Sequence, residues 1–359
     1  MLPRTFATCA AAALTLLASS LDAAERPPNV VLILVDDLGW KDLGCQGSTF
    51  YETPHIDALA RQGMRFTQAY AACAVCSPTR AAVLTGKYPA RLGVTDWIRP
   101  RHSRDAKEHK LSKSGGYVEN LGRPLLTPAN RFELDLGEVT LAERLKAAGY
   151  ATCHVGKWHL GDPGHLPTDQ GFDRNVGGYD YGQPPSYFDP YTNNRLPEGI
   201  PTLPPRRDGE YLADREADEA AAFIRENKGR PFFLSYWPYE VHTPLQAKPE
   251  LVERYKAKPK SEQSNATYAA MIQSLDEAVG RIIATLDDLG LTDDTLVVFT
   301  SDNGGLLGPT NNAPLRSGKG YPYEGGLRVP LLVRRPGVVP AGTVSDLPAC
   351  SIDLAPTIC

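Results

Sequence analysis

From Val30 to Val35 the chain reads VVLILV without a polar residue, and it then meets Asp36-Asp37. A strand with no polar alternation must be covered on both faces, which is the condition of an inner strand in a parallel sheet. The reading is a buried strand over Asn29 to Val35. Tyr150 to Val155, Pro231 to Trp237 and Thr295 to Thr300 (TLVVFT) are strand-like in the same way. Helical patterns lie between them, at His55 to Gly63 and at Leu212 to Asn227. Ser77-Pro78 opens another helix, with proline in the first turn where a missing N–H is harmless. Thr140 and Glu143 have the spacing of a capping box that starts a helix Leu141–Ala148, and Gly149 is placed to end it. Met271, Leu275, Val279, Ile282, Leu286 and Leu289 recur on one helical face. Arg65 to Ala71 reads as a short strand. Strand and helix alternate, so the expected fold class is α/β, with a mostly parallel central sheet and helices on both faces.

In such sheets the functional groups gather beyond the carboxyl ends of the strands. Asp36-Asp37, Lys157 and His159, His242, and Asp302-Asn303 each follow a predicted strand. Four segments therefore converge on one edge. A D-D pair after a strand, or an S-D-N-G-G segment, is by itself a loop cap or a turn. Together, Asp36, Asp37, Asp302 and Asn303 offer three carboxylates and an amide, which would repel strongly without a cation. Oxygen-only donors suit a hard divalent ion, Ca2+ first and Mg2+ second, and argue against zinc. Cys76 stands where a helix is about to begin, at the positive end of its dipole, where a thiol is an activated nucleophile.

Composition bounds the partners. The chain has 359 residues, 22% of them charged, and a formal net charge of -4, which argues against nucleic acid as a bulk electrostatic partner. Arg4, the apolar run Ala10 to Ala18 and the small residues ending at Ala23-Ala24 have the order of a secretory leader. That divides the chain into a signal peptide, 1–24, and one domain, 25–359, exported to the periplasm or secreted. The apolar run is too short to cross a bilayer, and no membrane span is expected later in the chain. Six cysteines remain after the leader, without the spacing of a dense disulfide framework. Between Asp96 and Glu138 the periodicity dissolves. Arg99, Arg101, Arg104, Lys107, Lys110 and Lys113 make this stretch basic, either as a solvated loop or as an attractor of anionic substrate. A second irregular stretch, Asp162 to Pro205, is a candidate lining for a substrate cleft. His55, His102, His109, His154 and His165 are read as ordinary core or surface residues.

Cys76-Ser77-Pro78-Thr79-Arg80, followed by Leu84-Thr85-Gly86, resembles the first signature of the formylglycine-dependent (type I) sulfatases, a family of the alkaline phosphatase superfamily. The segment Gly149 to His159 resembles the second signature. Val241-His242-Thr243-Pro244, Ser317-Gly318-Lys319-Gly320 and Tyr323 to Pro330 resemble later family motifs, in the family's order. The likeness runs over residues 28 to 358. It implies an alkaline-phosphatase-like sheet, and oxidation of Cys76 to formylglycine by a formylglycine-generating enzyme. The hydrated aldehyde would attack sulfur with one hydroxyl and expel sulfate with the other, splitting the hydrolysis into two steps. The same likeness makes formylglycine a further metal ligand. It sets Arg80 and Lys157 against the diol and sulfate oxygens, and makes His159 the base of the elimination step. His242 and Lys319 would hold the sulfate and protonate the leaving oxygen. The substrate implied is a sulfated small molecule or glycan, most often a carbohydrate. A phosphonate monoester or phosphodiester hydrolase, or an inactive relative that binds sulfated glycans, are the alternatives. Family members continue into a smaller C-terminal subdomain with a short antiparallel sheet; the resemblance implies that it is missing here, since the chain ends at Cys359.

Overall fold

The computed structural model describes residues 26–100, 117–119 and 126–359. The segment expected to be a leader, residues 1–24, and most of the basic stretch, from Arg101 to Lys113, lie outside the described residues. In chain order the strands are β1 (Asn29–Val35), β2 (Met64–Phe66), β3 (Ala69–Tyr70), β4 (Tyr117–Glu119), β5 (Leu126–Pro128) and β6 (Ala151–Gly156). They continue as β7 (Arg174–Val176), β8 (Phe232–Trp237), β9 (Thr295–Ser301), β10 (Leu331–Arg334), β11 (Thr343–Ser345) and β12 (Ala349–Cys350). The longer helices are α1 (Pro54–Gln62), α2 (Cys76–Thr85), α3 (Leu141–Ala147), α4 (Leu212–Asn227), α5 (Pro249–Lys256) and α6 (Ala266–Asp288).

Eight strands form one sheet in the order β11-β2-β10-β9-β1-β8-β6-β7. β9, β1, β8, β6 and β7 run parallel, while β10 is antiparallel to both β9 and β2. The mostly parallel sheet inferred from the sequence is therefore present, with one reversed strand. β1 is central and buried along its whole length. Val31, Ile33 and Val35 join one apolar cluster with α1, α4 and α6, whereas Val30, Leu32 and Leu34 join another with α2 and α3. Two opposed cores explain why the strand carries no polar alternation.

Local signals behave as their chemistry dictates. The Thr140 hydroxyl accepts from Glu143 N at 3.1 Å, and the Glu143 carboxylate accepts from Thr140 N at 2.7 Å, closing the capping box of α3. Gly149, just past α3, adopts the left-handed φ of 89°. α6 starts earlier than its apolar stripe, because the Asn265 side chain accepts from Tyr268 N and because Tyr268, Ala269 and Ala270 are buried as well. The expected single strand Arg65 to Ala71 is interrupted. Arg328 donates to Thr67 O, and Gln68 reaches Asp346 O, so the chain leaves the main sheet after β2 and β3 pairs with β12 instead. Among the described residues no helix is long and apolar enough to cross a membrane, and the six cysteines are free thiols.

His154 on β6 is a core residue. Its ring lies 5.2 Å from Trp158 and 5.3 Å from Trp237, and burial pushes its pKa down to about 3. Unfolding releases an imidazole that takes up a proton below its ordinary 6.5. The stability contribution is thus complete above that value and is lost as pH falls from it toward 3. In His154→Gln, urea denaturation at successive pH values is expected to show a slope of stability against pH that is shallower by up to about 1.4 kcal/mol per unit between about pH 4 and 6.

Candidate active site

The carboxyl edge of the four central strands assembles the site. Asp36 and Asp37 follow β1, Lys157 and His159 follow β6, His242 lies beyond β8, and Asp302 and Asn303 follow β9. The ladders continue past the strands to fix these segments. Asp36 N donates to Glu240 O at 2.9 Å, Val241 N to Asp36 O at 2.8 Å, and Asp302 N to Val35 O at 3.1 Å. Asp37 and His159, with φ of 61° and 58°, hold left-handed backbone that non-glycine residues seldom adopt.

Arg80 is the floor. It is fully buried on α2, and its Nε and Nη2 reach Asp302 Oδ2 at 2.9 and 2.7 Å. Its Nη1 donates to Lys157 O at 3.0 Å, and Asp36 Oδ1 is 3.6 Å from Nη2. Lys157 Nζ lies 2.6 Å from Asp36 Oδ2. Asp37 accepts from Asn303 Nδ2 at 2.8 Å and from Lys319 Nζ at 2.7 Å. Burial alone would push the Asp37 carboxyl up, but Lys319, His242 and Lys157 together hold it well below the usual carboxylate range.

Lys319 arrives on the loop between β9 and β10, which closes on glycine. A Cβ on Gly304 would sit 1.9 Å from Gly325 O, and one on Gly326 would sit 2.1 Å from Tyr321 O. Main chain therefore packs directly on main chain behind the lysine. Its Nζ is also 2.8 Å from His242 Nε2, while His242 Nδ1 faces Thr243 O at 2.8 Å. A ring nitrogen facing a carbonyl carries the proton, so Nδ1 donates and Nε2 accepts from the ammonium. Burial opposes charge on both groups, yet the carboxylate of Asp37 outweighs it and raises both pKa values.

Cys76 is the first residue of α2 and is 3% exposed. The N-cap, Val75, has no capping side chain, which leaves the positive helix end to a ligand. Burial opposes its ionisation, but Lys157 and Lys319 outweigh that and hold the thiol well below its ordinary pKa. The His159 ring is its neighbour. The Nε2 of this imidazole is 2.6 Å from Ile98 O and must donate, leaving the buried Nδ1 with a free lone pair. Burial pushes His159 down to about 4, so it is neutral and basic toward Cys76 at neutral pH.

The residues present fit a cation. Asp36 Oδ1 and Asn303 Oδ1 are buried without a hydrogen-bond partner, and Asp37 and Asp302 stand beside them. One ligand atom from each of Asp36, Asp37, Cys76 and His242 falls within 4.8 Å of the others. All ten residues singled out in the sequence thus meet in one connected cluster. Sequence reasoning missed the Ile98 carbonyl that sets the tautomer of His159, and Tyr187, whose hydroxyl donates to Tyr239 O and His242 O at 2.6 and 2.8 Å. Neither has a local signature. Above Cys76 opens a cleft of about 590 Å³. The irregular stretch suspected of lining it does so, through Tyr181, Gln183, Pro184, Asn193 and Arg195.

The family model described as Sulfatase matches residues 28–359. Arylsulfatase A of Homo sapiens is 36% identical, over 94% of this chain and 64% of its own length. N-acetylgalactosamine-6-sulfatase of Canis lupus familiaris is 36% identical, over 96% of this chain and 64% of its own. The chain thus spans a little under two thirds of these curated relatives. Among solved structures, Ps i-CgsB in complex with k-i-k-neocarrahexaose aligns with a TM-score of 0.76 at 32% identity, covering 93% of this chain and 71% of that one.

Removing one partner of a buried charge network leaves the others uncompensated. Arg80→Met is expected to lower unfolding free energy by about 3–5 kcal/mol. Asp302→Asn in the same chain should restore part of that loss, and the double-mutant cycle in denaturant measures the coupling.

Proposed function

The chain belongs to the sulfatase family, and on that premise we propose that it hydrolyses sulfate esters of carbohydrates, with Cys76, once oxidised to formylglycine, as the nucleophile. The observation that carries this reading is the pairing of Cys76 with the neutral His159 at the base of a cleft lined by Lys319, with the buried Lys157 close enough to favour the Cys76 anion. Formylglycine supplies a hydrated aldehyde, one hydroxyl to attack sulfur and one to release it. Asp36, Asp37, Asp302 and Asn303 would hold a divalent cation, Ca2+ first and Mg2+ second, which supplies positive charge to the ester and nucleophile oxygens. The free Nδ1 of His159 accepts the proton of the hydroxyl carried on residue 76. Lys157 and Lys319 offset the charge on the sulfate, and His242 and Lys319 would hold the sulfate and protonate the alcohol oxygen as its bond to sulfur breaks. Arg80 fixes Asp302 and Asp36 rather than reaching the ester itself.

A carbohydrate substrate is supported by the polar and aromatic cleft, and by relatives whose names specify N-acetylgalactosamine-6-sulfate and a bound neocarrahexaose. Because Cys76 is buried within the folded chain, the formylglycine-generating enzyme would act before folding is complete. Export through the leader at residues 1–24 belongs to the same reading.

Co-production with a formylglycine-generating enzyme, followed by assay of an aryl sulfate with calcium, tests the proposal. Turnover is expected from the parent chain and none from Cys76→Ala. A parent carrying the aldehyde by mass spectrometry, yet without turnover on any sulfate ester, sinks the hydrolase reading and leaves glycan binding. His159→Gln should lower kcat by about 100-fold or more. In the parent, His159 remains unprotonated down to about 4, so the acid limb of kcat/KM is expected near that pH. Chelation should abolish turnover and also lower Tm. Ca2+ at about 100 times its Kd is expected to restore about 2.7 kcal/mol of stability, and Asn303→Ala should reduce that gain.

A further inference from the structure

We propose that the cleft holds a second anion subsite, built on Arg195, which recognises a charged group of the substrate other than the sulfate that is cleaved. The inference rests on the sulfatase reading above and narrows its substrate to a polyanionic saccharide.

The argument begins with the turn that carries Arg195. Asn193 and Leu196 exchange backbone hydrogen bonds, each at 3.2 Å, closing a two-residue turn. The Asn193 carboxamide oxygen accepts from Arg195 N at 2.8 Å and from Leu196 N at 2.9 Å. Its Nδ2 donates to Pro185 O at 3.0 Å, pinning the turn to the cleft wall. The backbone under Arg195 is therefore set before any ligand arrives, which lowers the entropy lost on binding.

The guanidinium itself is uncommitted. Arg195 is exposed, lines the cleft, and makes no side-chain hydrogen bond or ion pair among the described residues. The lysine of the lining, Lys319, is paired with Asp37. No carboxylate lines the cleft among the described residues. An arginine with five donors and no acid to answer them is suited to a carboxylate or a sulfate. One sulfate is already provided for at Cys76, so Arg195 serves a different group.

The cleft also offers a surface for the sugar that bears it. Trp97 is 44% exposed and lines the same cavity. Its segment is clamped by Asn130, whose side chain accepts from Thr95 N and donates to the carbonyls of Asp96 and Trp97. The Arg99 guanidinium lies over one side of the indole, 5.7 Å from the ring centroid. The rest of the exposed ring presents an apolar surface to a pyranose, with polar rim groups left to set orientation. Catalysis and recognition thus draw on separate cations in one cleft.

Calorimetry on the calcium-loaded Cys76→Ala chain reads this without turnover. Three probes are used: a hexosamine monosulfate, the same hexosamine with a second sulfate, and a disaccharide joining the monosulfate to a uronic acid. The second anion is expected to tighten binding about tenfold, as for a hydrogen bond to a charged group. In Arg195→Gln that ratio should fall to about one, and Arg195→Lys should keep part of it. Which doubly charged probe gains tells a sulfate from a carboxylate. An unchanged ratio in Arg195→Gln, no preference in the parent, or equal weakening of all three probes overturns the subsite. A preference that depends on Arg195 in a chain whose aldehyde-bearing form turns over no sulfate ester upholds the subsite and overturns the hydrolase reading instead.

Discussion

Everything at the carboxyl edge of the sheet depends on the guanidinium of Arg80. It sits without solvent access against Asp302 and Asp36, and its Nη1 donates to the carbonyl of Lys157. Around it, Asp36, Asp37 and Asp302 are matched by Arg80, Lys157 and Lys319. Desolvation makes each of these charges expensive alone, and the group is tolerable only as a unit. The sheet order allows it, since β9, β1, β8 and β6 are neighbours and deliver their terminal residues to one place. α2 then brings Arg80 and Cys76 from one face, so the helix that bears the buried thiol also bears the cation that holds the acids.

Two histidines on this edge illustrate how environment assigns chemical work. His159 is enclosed with a carbonyl on one nitrogen and Cys76 near the other, and burial keeps it neutral. His242 is enclosed as well, but Asp37 stands close enough to favour its proton. One ring is thus prepared to take a proton and the other to hold one, in the same cleft.

Much of this was legible in the sequence, for identifiable reasons. The unbroken run in β1 reports burial on two faces, and the Thr140–Glu143 spacing reports a cap made of local atoms. The ten site residues were legible because each ends a strand or sits in a dense motif. Features set by distant partners were not. The break between β2 and β3 is imposed by Arg328 and Gln68 bonding far along the chain, and the antiparallel pairing of the four-residue β10 has no local signature. The carbonyl of Ile98 and the turn at Asn193 leave no pattern in the sequence, since one acts through its backbone and the other through an ordinary asparagine.

The glycine contacts behind Lys319 divide the molecule by how freely it can vary over generations. At Gly304, Gly325 and Gly326 even a methyl group would collide with a carbonyl oxygen, so these positions have no neutral neighbours in sequence space. The turn bearing Arg195 and the segment bearing Trp97 are pinned in part by the side chains of Asn193 and Asn130, with no such main-chain collision. Descendants of such a scaffold would hold the loop of Lys319 unchanged while the wall of the cleft drifts.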